Sequence, residues 1–139
     1  MNNISIPWHL LIPILLSITC LIIVISKRKI IITNRSKKLF VSVLIFLVLY
    51  IIIVGNSLLY DIYYQFHLNS YDLDGNGFFD GKEINENQKI AMKNLTNDTS
   101  RNFSFILGLI FSLIISTFLY IMLSITSKIR KRSKTKTIY

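Results

Sequence analysis

Hydrophobic and polar positions alternate along this chain in long blocks rather than in short periods. Three runs are apolar and almost free of charge: residues 8–26, 39–60 and 103–127. Each is long enough to cross a bilayer, which takes a helix about 20 residues for a hydrocarbon core of ~30 Å. Around them lie an N-terminal segment at 1–7, a basic connection at 27–38, a mixed polar segment at 61–102 and a basic tail at 128–139. The pattern predicts an all-α membrane protein with three transmembrane helices, since a helix satisfies its own backbone hydrogen bonds in lipid.

The first run, Trp8 to Ser26, reads as a retained helix rather than a cleaved signal. Met1-Asn2-Asn3-Ile4-Ser5 has no basic side chain, and the run ends in Ile25-Ser26-Lys27-Arg28-Lys29 instead of a small-residue cleavage site. Pro13 is tolerated where neighbouring groups satisfy the freed carbonyl. His9, beside Trp8, reads as an interfacial side chain. In the second run only Gly55-Asn56-Ser57 is a polar break. In the third, Ser104, Gly108, Ser112 and Ser116 recur every four residues. Small residues on one helical stripe predict close helix packing, on a second copy or another membrane protein.

Composition supports this reading. Of 139 residues, 52% are apolar and 17% charged, and the net charge of +9 lies on segments flanking apolar runs. That placement favours membrane orientation and anionic lipid over nucleic acid. The single cysteine, Cys20, rules out an internal disulfide and reads as a small apolar side chain. The sequons at Asn94, Asn97 and Asn102 are within chance for a chain rich in Asn, Ser and Thr. Its Ile, Lys and Asn usage fits a bacterial plasma membrane protein.

All the acidic residues fall in 61–102, and twelve positions there carry chemistry: Asp72-Leu-Asp74-Gly-Asn76-Gly77-Phe78-Phe79-Asp80-Gly-Lys-Glu83. They match D-x-[DN]-x-[DN]-G-x5-E at every specified position. Calcium takes six to eight oxygens, and this spacing supplies them. Asp72, Asp74 and Asn76 offer side-chain oxygens, Phe78 its backbone carbonyl, Asp80 a ligand through water, and Glu83 both carboxylate oxygens. Gly77 supplies the positive φ of the sharp turn.

The stretch resembles the EF-hand family of calcium-binding helix-loop-helix units. Leu68 and Tyr71 before the loop, Phe79 at its eighth position and Ile84 after it match the family's apolar packing positions, whereas Asn87 and Gln88 depart from them. The resemblance implies Ca2+ as the bound ion. It also implies an entering helix, carrying the aromatic cluster Tyr60, Tyr63, Tyr64 and Phe66, that directly extends the second membrane helix. An amphipathic exit helix follows from Ile84, Ala91 and Leu95, with Ile90 and Met92 nearby. His67, with no partner ligand at useful spacing, reads as packing. The stretch Thr96 to Asn102 is polar, lacks Gly and Pro, and reads as a loop able to absorb motion of that helix.

Lys and Arg near membrane helices stay on the cytoplasmic side. The connection at 27–38 and the tail each carry six, and three spans put both on one side. The expected topology is therefore N-terminus out and C-terminus in, with the hand extracytoplasmic. Such modules bind calcium at ~10⁻⁴–10⁻³ M, so the expected role is a structural clamp or a low-affinity calcium sensor. The alternative is a small subunit of a transporter or channel whose acidic loop gathers cations, although charges within spans usually mark ion paths and these spans carry none. With no HExxH, nucleophile elbow, P-loop or paired intramembrane carboxylates, the chain reads as non-enzymatic.

Overall fold

The computed structural model describes residues 4–31, 37–96 and 98–136, with side chains for 4–30, 37–96 and 98–130. Met1-Asn2-Asn3, Ile32, Arg35 and Asn97 lie outside the described residues, as do the side chains of Lys131, Arg132, Lys134 and Lys136 in the tail. The regular elements among the described residues are all helical: α1 (Trp8–Ser26), α2 (Arg28–Ile31), α3 (Lys37–Asn69), α4 (Glu86–Thr96), α5 (Thr99–Asn102) and α6 (Ser104–Lys136). A short 3₁₀ turn, Gly81–Glu83, precedes α4.

Three helices are long and apolar enough to cross a membrane, as the block pattern predicts. Helix α3 runs without interruption through the second apolar run into the polar segment. Its 33 residues extend ~50 Å at 1.5 Å each, about 20 Å more than the hydrocarbon core needs. The surplus lies mainly at its C-terminal end, where it becomes the helix entering the acidic loop. Helix α6 has the same 33 residues but is displaced the other way, projecting through the basic tail.

Helix α3 sits between α1 and α6 and packs most extensively on α6. Leu10 and Ile14 of α1 close on Tyr50 and Val54 of α3, with Leu58 and Phe105 against them. Most other apolar side chains of the spans, Leu16, Ile52, Phe111 and Phe118 among them, are exposed on the outside of the bundle. In lipid that exposure carries no hydrophobic penalty, so packing between the helices depends on close fit.

The four-residue stripe of α6 supplies that fit. Ser104 and Ser112 are buried, and a Cβ built on Gly108 would stand 3.1 Å from Ile53 Cγ2 and 3.3 Å from Val54 Cγ2. Ser116 donates from Oγ to the Ser42 carbonyl at 2.9 Å. The stripe is thus covered by α3 of the same chain. At the basic end the ammonium of Lys38 donates to Ser127 Oγ, a second contact between α3 and α6.

Two segments differ from the sequence expectation. Ile84 stands outside the exit helix in extended conformation, because Asn85 Oδ1 accepts from Gln88 N–H at 2.9 Å and α4 starts only at Glu86. Ala91 and Gln88 are the buried residues of α4, while Ile84 and Ile90 face outward. The stretch after α4 is not simply a loop: Asp98 accepts from Arg101 N–H at 3.0 Å and nucleates the short helix α5.

Candidate metal centre and the polar hub beside it

Helix α3 ends by tightening. Ser70 N–H donates to the Phe66 carbonyl, Tyr71 N–H to that of Leu68 and Asp72 N–H to that of Asn69. The chain then enters a loop built on its own carboxylates. Asp72 accepts from Gly75 N–H at 2.8 Å and from Gly77 N–H at 3.0 Å, one on each oxygen. That fold-back needs the left-handed backbone of Gly77, at φ 84°, which a residue with a Cβ resists. Asp74 accepts from the backbone N–H and the side-chain amide of Asn76, at 3.0 and 2.7 Å. The Asn76 side-chain oxygen in turn accepts from Phe78 N–H at 2.6 Å.

Glu83 closes the loop from the far end. It is only 6% exposed. Its Oε1 accepts from Leu73 N–H at 2.7 Å and Asp74 N–H at 3.3 Å, and its Oε2 from Asp80 N–H at 3.3 Å. The Asp80 side chain accepts from Glu83 N–H in return, a reciprocal cap on the 3₁₀ turn.

Carboxylate oxygens of Asp72, Asp74 and Glu83 thereby lie within 4.8 Å of one another. Three hard oxygen donors at this separation suit a divalent cation of the calcium type. The loop sets four carboxylates against the single ammonium of Lys82, so a cation would relieve their mutual repulsion. Of the six ligands read from the sequence, Asp72, Asp74 and Glu83 are brought together. Asn76 is tied to Asp74, Asp80 is engaged in its cap, and the Phe78 side chain is exposed, which fits a role for its backbone alone. Both oxygens of Glu83 can meet an ion only if Oε1 gives up part of its N–H contacts, the 3.3 Å contact to Asp74 being the weaker.

A second polar cluster lies between this loop and the spans. The Arg101 side chain is 3% exposed and links its own helix α5 to α3 and α4. Its Nε donates to Asp61 Oδ1 on α3 at 3.0 Å. Its Nη2 donates to the Leu95 carbonyl at 2.6 Å and its Nη1 to that of Asn94 at 3.3 Å, both at the C-terminal end of α4. The guanidinium carbon lies 5.0 Å from the Tyr64 ring centroid, a cation–π contact. Asp61 also accepts from Gln65 Nε2 at 2.8 Å. The Gln65 amide then pairs with the Ser5 backbone, accepting from its N–H and donating to its carbonyl, both at 2.8 Å. This places the N-terminal segment, the C-terminal end of α3, α4 and α5 at one end of the bundle.

Asp98, ahead of the third span, completes the cluster. The Ser100 hydroxyl and the Arg101 backbone N–H donate to it, and with Arg101 nearby they hold its carboxyl below the usual value of 3.8. Around the entry to the loop, Tyr60 stacks on Tyr64, and His67 lies between Tyr63 and Tyr71 at centroid distances of 6.2 and 5.6 Å.

The Asp61–Arg101 pair is absent from the sequence reading. Its signal is nevertheless present: one acid directly follows the second apolar run, and one base lies two residues ahead of the third. Charges of opposite sign at the adjoining ends of consecutive spans lie at the same level in the folded bundle.

No protein family, curated protein or solved structure matches the chain.

Proposed function

We propose that this is a small calcium-binding membrane protein in which an EF-hand-type loop clamps the outer ends of the second and third membrane helices. The observation that carries the reading is the convergence of Asp72, Asp74 and Glu83 on a loop whose spacing supplies oxygens at every calcium-ligand position. Asn76, the Phe78 carbonyl and Asp80 through water would complete the shell. The bound ion would supply charge neutralisation and order, with no chemical step. At free calcium ten times its dissociation constant, binding adds about 1.4 kcal/mol to the folded state. Arg101 favours a clamp over a sensor, because it fastens the far end of α4 to α3 and leaves the exit helix little freedom to swing.

The six basic residues on each of two segments orient the chain with the loop extracytoplasmic. A cysteine placed at Asn94 in a Cys20→Ser background should then react with an impermeant thiol reagent on intact cells, and one at Thr135 should not. The reverse labelling would turn the loop inward.

Calcium titration of the full-length protein in detergent tests the metal site. Calcium should bind in preference to magnesium, whose tighter octahedral shell suits a long flexible loop less well. Glu83→Gln should weaken calcium on the order of tenfold or more, since it removes a charge and one oxygen from the shell. Identical titrations for the two proteins would remove the calcium assignment.

A further inference from the structure

An open groove of about 560 Å³ runs between α3 and α6 on the outside of the bundle, lined chiefly by Ile53, Ser57, Ser104, Leu107, Phe111 and Ile114. From Ser104 to Ile114 it follows ten residues of helix, or ~15 Å, close to half of a ~30 Å hydrocarbon core. Towards the acidic loop it shares Ser57 and Ser100 with a polar pocket of about 330 Å³ that adds Asn56, Tyr60, Tyr64, Asp98 and Arg101. Ser104, at the junction, has a buried Oγ with no hydrogen-bond partner among the described residues. One continuous surface is therefore apolar over the depth of a leaflet and polar at the interface.

The charges in the polar part select the head that fits. All three guanidinium nitrogens of Arg101 are engaged, with Asp61, Asp98 and the carbonyls of Asn94 and Leu95. The guanidinium thus offers a phosphate no free donor. Two carboxylates face this one cation, and Asp98 is the more exposed of them, its Oδ2 3.5 Å from Arg101 Nη1. The surplus negative charge, with the Ser57, Ser100 and Tyr60 hydroxyls around it, suits a small cation able to donate hydrogen bonds. We infer that this groove binds one membrane phospholipid with a primary-ammonium head, its acyl chain between α3 and α6 and its ammonium at Asp98.

Photo-crosslinking tests this on the full chain in vesicles. Phosphatidylethanolamine or phosphatidylcholine, each with the same diazirine-bearing chain, would be compared at equal dose. The two heads have equal net charge, so the basic end of the protein does not discriminate between them; only the ethanolamine head has N–H donors. Adducts on Ile53–Ser57 and Ser104–Ile114 should be about two- to tenfold more frequent with the ethanolamine lipid, the range of one net hydrogen bond. Asp98→Asn should bring them to the choline level while keeping α5, because Asn caps a helix as well as Asp does. Ser57→Phe, which fills the groove, should reduce adducts with both lipids. Equal labelling by the two lipids overturns the assignment, as does an ethanolamine excess that survives Asp98→Asn. Adducts missing from both segments would mean that a protein surface, such as a second copy, covers the groove.

Discussion

Taking a guanidinium out of water costs several kcal/mol unless its donors and charge are matched, and Arg101 is almost wholly buried. The chain matches it with Asp61, two carbonyls at the end of α4 and the face of Tyr64. Helix carbonyls at a C-terminus lack intrahelical partners, so Arg101 satisfies α4 while α4 satisfies Arg101. Removing one member of such a pair leaves the other buried without compensation. Arg101→Met should therefore destabilise the protein by about 3–5 kcal/mol, measured by denaturant unfolding in mixed micelles. Because Asp61 also holds Gln65, and Gln65 holds Ser5, the same change should speed hydrogen exchange at Ser5 N–H. A loss below about 1 kcal/mol would mean that water reaches the pair and that it behaves as an exposed one.

Of the two glycines within α3 and α6, only Gly108 bears on how these helices pack. A Cβ on Gly108 would press on Ile53 and Val54, whereas nothing lies within 4 Å of the corresponding position at Gly55. Gly108→Leu should cost about 1–3 kcal/mol through overpacking. Gly55→Ala should be neutral or stabilising by up to about 1 kcal/mol, through helix propensity alone. Thermal unfolding of both variants in one detergent checks the contrast, and equal effects would show that the stripe is not held against α3. Much of this element-level structure is legible in the chain: block hydrophobicity marks the three long helices, the loop spacing marks Asp72 to Glu83, and the four-residue period marks the packed face of α6. What the pattern omits are pairings of polar residues far apart in sequence, Asp61 with Arg101 and Ser5 with Gln65, because periodicity reports which face is apolar and not which partner lies opposite. The start of α4 is missed for a local reason. Glu83 belongs to a 3₁₀ turn and Asn85 begins a new cap, so Ile84 falls between two elements.

Across the molecule the two ends differ in kind. At one, acidic and aromatic residues surround a loop that depends on its own carboxylates; at the other, Lys38 on α3 meets Ser127 on α6 within a basic region. Whether metal at the first end is felt at the second depends on how α3, α4 and α6 are joined. Sensor hands alter the angle between their helices on binding calcium, while buffering hands barely move. Here the C-terminal carbonyls of α4 are tied through Arg101 to Asp61 on the entering helix, and Arg101 itself lies three residues before the start of α6. An opening of α4 away from α3 would have to break those buried contacts, at a cost above the ~1.4 kcal/mol that calcium, under the proposed reading, would supply at ten times its dissociation constant. Metal should therefore tighten the loop and leave the spans where they are. Spin labels at Val41 and Thr126, near the basic ends of α3 and α6, should give the same distance distribution in calcium and in chelator. Over the same titration, hydrogen exchange at Leu73, Asp74 and Asp80, whose N–H groups Glu83 holds, should change. A shift in the label distance with the Arg101 contacts intact would make this a sensor, and the clamp would have to be abandoned.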